Sequence, residues 1–201
     1  MRISEALARI DEIHTYLTRA EVYRGFRSWP VAFSGLAGLA ASAAFAVVSQ
    51  PVGPGLVWAW WMVALGCAGI GGSEIAYHYC WTDDRFARAR TRRVLGQFAP
   101  CLVAGAVASF GVAHGAPRAI GLLPGLWCLF FGLGLFSARP HLPRSIGWVA
   151  LYYLAAGGWL TLAAESGESF SPWRVGVPFG AGQLAAALVL YWNLERRPDD
   201  V

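Results

Sequence analysis

The sequence predicts an all-α membrane protein: six transmembrane helices, N- and C-termini cytoplasmic, and an amphipathic N-terminal helix. Three observations carry this reading. Of 201 residues, 56% are hydrophobic and only 14% charged, against roughly 25% charged in a soluble domain. The charges are segregated, for no Asp, Glu, Lys or Arg occurs in 28–73, 94–117, 119–138, 145–164 or 175–194. The basic residues are all arginine, and threading those runs through a bilayer puts most of them on one side.

Residues 1–28 form the first element. Ile3, Leu7, Ile10, His14 and Leu17 recur at helical spacing with charges opposite, giving an amphipathic helix. It is expected to lie on the cytoplasmic membrane surface or to dock a partner. No cleavable signal peptide is expected, because nine charges precede Trp29 and leave no apolar h-region between them.

The bundle covers 29–194. A bilayer core of about 30 Å needs about 20 apolar residues as helix. The last four charge-free runs each supply one span. The first supplies two, divided by SQPVGPG (49–55) with its prolines and glycines. The spans lie near 29–48, 56–79, 96–114, 119–138, 146–164 and 175–194. Between the second and third, Thr82-Asp83 starts a short amphipathic helix over 85–98, leading into the third span. Residues 195–201 are a cytoplasmic tail. Sliding the chain by 70 residues aligns Pro54-Gly55-Leu56 with Pro124-Gly125-Leu126, suggesting a parallel repeat of 30–66 and 100–136.

Orientation follows from the arginines. Five precede the first span, and Arg85, Arg88, Arg90, Arg92 and Arg93 follow the second; Arg139, Arg144, Arg196 and Arg197 join them. Only Arg118 and Arg174 fall on the other side. The 85–93 arginines form a basic loop facing anionic lipid at the cytoplasmic face or a protein partner. Topology accounts for the net charge of +4, so nucleic acid is not an expected partner.

Small residues mark expected close contacts: Gly121 with Gly125, Gly176 with Gly180, and Gly66, Gly69, Gly71 and Gly72 in the second span. Trp58, Trp60, Trp61 and Trp173 suit an outer aromatic belt, while Trp127 suits core packing. Cys67, Cys80, Cys101 and Cys128 form no CxxC pair and read as reduced packing residues. No cofactor and no metal site is expected.

The stretches SPWRVGVPFGAGQLAAALVLYWNLERR (171–197) and GLWCLFFGLGLFSARPHLPRS (125–145) resemble small, uncharacterised six-span bacterial inner-membrane proteins. The resemblance implies a multi-pass protein of the bacterial inner membrane and brings no activity or site residue with it.

Candidate chemistry centres on Glu74 and His78, at i and i+4 on one helix face near the cytoplasmic end of the second span. An intramembrane carboxylate suggests function by default. The pair relays protons, binds a cation or lines the inner mouth of a pathway; alternatively it is structural and reaches an arginine of 85–93. Gln183 is the one amide well inside a span, and Tyr77 heads a group of tyrosines in the inner half. No catalytic motif occurs, so an enzyme is not expected. Two roles remain: a non-enzymatic membrane protein acting through helix or loop contacts with a partner or a second copy, and a small oligomeric transporter or channel with Glu74 and His78 near its cytoplasmic mouth.

Overall fold

The computed structural model describes residues 27–48, 54–82, 85–164 and 171–196, and for His78, Thr82, Phe86 and Arg90 it describes the backbone alone. No strand occurs among the described residues. The expected N-terminal amphipathic helix and most of the tail lie outside them.

Helix α1 (Ser28–Val47) leaves an extended Arg27 and carries Pro30 in its first turn, where the missing N–H has no helical acceptor to lose. Helix α2 (Pro54–Tyr77) follows and widens into a π turn at His78–Thr82. Helix α3 (Arg85–Gly115) is continuous, so the expected short helix at 85–98 and the third span are one element. Its 31 residues extend about 47 Å, more than a bilayer core, and its arginines occupy the turns beyond the apolar part. A 3-10 segment, Pro117–Leu122, leads into α4 (Leu123–Ala138). Helix α5 (Ile146–Leu162) and helix α6 (Trp173–Leu190) follow, and α6 ends in a second π turn, Tyr191–Glu195.

Among the described residues, five helical stretches are long and apolar enough to cross a membrane, and α5, with 17 residues, is shorter but apolar. This architecture is compatible with a multi-pass membrane protein. The outward surface agrees: Leu162 and Val47 are 89% and 86% exposed, a surface suited to lipid rather than water.

The most closely packed helix pairs run antiparallel. The tightest are α1 with α6 and α4 with α5, and α3 packs on α4. Small residues explain both tight pairs. A Cβ built on Gly176 would meet Ser42 Oγ and come within 2.7 Å of the Gly38 carbonyl. One built on Gly157 would lie 2.8 Å from the Gly125 carbonyl, and one on Gly125 would strike Thr161. Where lipid replaces water, such close backbone approach supplies the van der Waals attraction that hydrophobicity cannot. Ser42 is fully buried, its hydroxyl donating to Gly38 O at 3.0 Å with Pro172 O at 3.2 Å.

The second-span glycines behave differently. Gly66, Gly69, Gly71 and Gly72 have no atom of a neighbouring element within 4 Å of a built Cβ. The expectation that they pack is not met, because α2 stands away from the bundle below its first turns. Only Leu56, Val57 and Trp60 are buried in it, clustered with Phe45, Ile120 and Leu123. A second cluster, around Val94, Cys128, Ile146, Val149, Tyr153 and Ala186, joins α3, α4, α5 and α6.

Cross-helix hydrogen bonds add to packing at α5 and α6. Tyr153 donates to the Phe179 carbonyl at 3.1 Å and Tyr152 to Pro178 O at 3.2 Å. Tyr153→Phe is expected to cost about 0.6 kcal/mol, the usual size of such a bond between membrane helices, read as a lower thermal midpoint in detergent.

Candidate functional site

One end of the bundle, the arginine-rich end, collects the start of α1, the π turns closing α2 and α6, and the α4–α5 connection. Ser28 and Glu195 meet there. The Ser28 N–H and hydroxyl donate to the two Glu195 carboxylate oxygens at 2.8 and 2.7 Å. Helix α1 has no side-chain cap hydrogen bond at Arg27, so the Glu195 carboxylate takes the free N–H of Ser28 and complements the helix dipole. The π turn positions that carboxylate, with the Arg196 N–H bonded to Tyr191 O at 2.8 Å.

Glu74 lies at the same end on α2. Its carboxylate Oε1 is 3.3 Å from Arg27 Nε, and the side chains are 17% and 57% exposed respectively. Among the described side chains the arginine beside Glu74 is Arg27, which precedes the first span. The His78 side chain, the other half of the expected pair, lies outside the described residues; its backbone opens the π turn.

Above this ion pair is a cavity of about 550 Å³, within the range of ligand sites. Its α2 wall is a stripe at helical spacing, Trp60, Val63, Cys67, Gly71 and Glu74, spanning about 21 Å from first to last. The opposite walls come from the other helices. Phe98 packs edge-on against Phe131 at 5.2 Å, and Phe131 against Phe179 at 5.9 Å. The cavity exists because α2 is packed into the bundle only at its first turns and meets it again through the Arg27–Glu74 pair near its other end. Its only charged lining residues, among those described, are Arg27 and Glu74.

Gln183 also lines the cavity and is 8% exposed. Its neighbour across the helix pair is Gly35, whose built Cβ would lie 3.0 Å from Gln183 Cβ. Among the described residues the Gln183 amide makes no hydrogen bond. Trp60 and Trp61, expected in an outer belt, instead turn into the bundle and line the cavity; their indole N–H groups are buried without an acceptor among the described residues. Trp127, expected in the core, donates to Ser109 Oγ at 2.8 Å.

Tyr77 is exposed and stacks on Trp81 at 5.6 Å, outside the cavity wall. Tyr153 is the tyrosine that does line it. The basic residues of α3 lie elsewhere. Arg85, Arg92 and Arg93 are exposed, while Arg88 is half-buried, 5.8 Å above the Tyr79 ring. The Arg90 side chain is outside the described residues. The four cysteines are free, and no group of three His, Cys, Asp or Glu side chains forms among the described residues.

Sequence reasoning misses Arg27, which enters it only as a topology signal. The clue is nevertheless present. Arg27 and Glu74 are the charges immediately flanking the 28–73 run, and the midpoint of that run falls in the SQPVGPG break. Folding the run as a hairpin brings its two flanking charges to one level. Comparison with protein-family models, curated proteins and solved structures gives no match for the chain.

Proposed function

We propose that the protein is a non-enzymatic, multi-pass membrane protein, set in a bacterial inner membrane with its arginine-rich end cytoplasmic, which binds a membrane-soluble ligand inside its helix bundle. The observation that carries this is the cavity of about 550 Å³ with its single charged pair at one end. Its walls are apolar and aromatic, which disfavours a hydrated path for small ions and favours a ligand arriving from the bilayer. The weakly packed side between α2 and α3 is the natural entry. The Arg27–Glu74 pair closes the cytoplasmic mouth. The arginines of α3 hold that end against anionic lipid.

Gly71→Trp tests the reading. A side chain there has open space around its Cβ, so the indole can project into the cavity one turn from Glu74 without forcing the backbone, and losing a mid-helix glycine favours the helix by about 0.5 kcal/mol. Native mass spectrometry from mild detergent should show bound amphiphile on the wild type and none on Gly71→Trp, with equal or higher thermal stability for the variant. Equal adducts on both would overturn the proposal.

A further inference from the structure

Resting on that reading, we infer that the ligand is a lipophilic cation, which takes the place of the Arg27 guanidinium on Glu74. The two members of the ion pair are not equivalent. Glu74 is 17% exposed and belongs to the cavity wall, whereas Arg27 is 57% exposed at its rim. An anionic ligand drawing Arg27 away would leave a carboxylate without a counter-ion in an apolar wall, which is costly. A cationic ligand on Glu74 releases only Arg27, whose long side chain can turn its charge to water or to lipid headgroups. Exchange of one cation for another leaves the charge inside the cavity unchanged.

The remaining walls suit the same class. Trp61, Trp127, Phe98, Phe131, Phe179 and Tyr153 surround the space with aromatic rings, whose faces attract cations most strongly where water is excluded. The Gln183 amide, opposite Gly35, lies about 12 Å further into the bundle than Arg27 by helix rise. It is nine-tenths buried, makes no hydrogen bond among the described residues, and lines the cavity. It offers a polar contact to a ligand that reaches past the carboxylate. In this arrangement Arg27 is the resting occupant of a cation site.

Tetraphenylphosphonium and tetraphenylborate, nearly identical in shape and opposite in charge, test the inference on purified protein in detergent. Binding is taken as the difference between the wild type and Gly71→Trp, which removes micelle partitioning. The phosphonium should bind about tenfold more tightly than the borate, the size of a desolvated cation–aromatic and ion-pair preference. Glu74→Gln should remove that preference, and Arg27→Gln should strengthen phosphonium binding by removing its competitor. Size-exclusion profiles and melting curves confirm that each variant is folded, and the opposite signs of the two substitutions distinguish a binding effect from damage. Equal affinity for both ions, tighter borate binding, or weaker phosphonium binding in Arg27→Gln would overturn the cation inference. The neutral probe diphenylhexatriene separates the two proposals. If it binds the wild type and not Gly71→Trp while the cation preference fails, the cavity reading stands alone; if neither it nor the ions bind, both fall.

Discussion

Gly176→Leu is expected to separate α6 from α1 and leave little folded protein. The built Cβ at Gly176 already meets Ser42 Oγ, and the Gly38 carbonyl and Ser42 Cβ lie 2.7 Å away. Two of the three obstructions are backbone or the stem of a side chain, so rotation of a flexible group cannot relieve them. Overpacking a well-filled core costs about 1–3 kcal/mol per event, and a leucine adds three carbons beyond the Cβ that already collides. Gly69→Leu is the internal control, because nothing lies within 4 Å of a Cβ there. Fluorescence-detected size exclusion should show a monodisperse peak for Gly69→Leu and loss of it for Gly176→Leu. Equal behaviour of the two would mean that the α1–α6 contact does not organise the bundle.

Trp60→Ala carries the second largest effect. Trp60 is 5% exposed and meets Phe45 edge-on at 5.4 Å, and with Leu56 and Val57 it forms the packed anchorage of α2. Truncating a buried tryptophan in a soluble core costs about 3–5 kcal/mol. In lipid the water-transfer part falls away, leaving a packing loss of about 2 kcal/mol. That loss acts on the position of α2, whose other end is tied to the start of α1 by the Arg27–Glu74 pair. Cys67, half-buried on the cavity stripe, reports it: maleimide labelling of that thiol should accelerate more than tenfold, since each 1.4 kcal/mol is a factor of ten. Unchanged labelling would show that α2 is held by something other than this cluster.

The helices were legible in the sequence because their signal is collective. A run such as 119–138 without a charge leaves few alternatives to a buried or lipid-facing helix, and the observed starts at Ser28, Ile146 and Trp173 fall within two residues of those expected. The join at 85–98 was not legible. The arginines of 85–93 set that segment apart as interfacial, yet α3 runs on from it without interruption and carries Pro100 inside. Glycine patterns had the least transferable meaning. Gly176 and Gly69 both sit in apolar, small-residue stretches, and only the packing of the other helices decides which one touches a neighbour. The candidate site was half legible for the same reason. Glu74 stood out as a carboxylate in an apolar run, but its partner depended on how the hairpin closed. The aromatic lining depended on where α2 left the bundle.

The contact between Ser28 and Glu195 joins residues 167 positions apart. It lies beside the tightest helix pair among the described residues, formed by the first and last described α-helices. During synthesis α1 is made long before α6 exists. Until α6 is in place, the face of α1 that carries Gly35, Gly38 and Ser42 has no mate, and the Ser28 N–H lacks its carboxylate. The α1–α6 contact therefore cannot form until α6 has been made, and a chain arrested before α6 leaves that small-residue face of α1 without its mate.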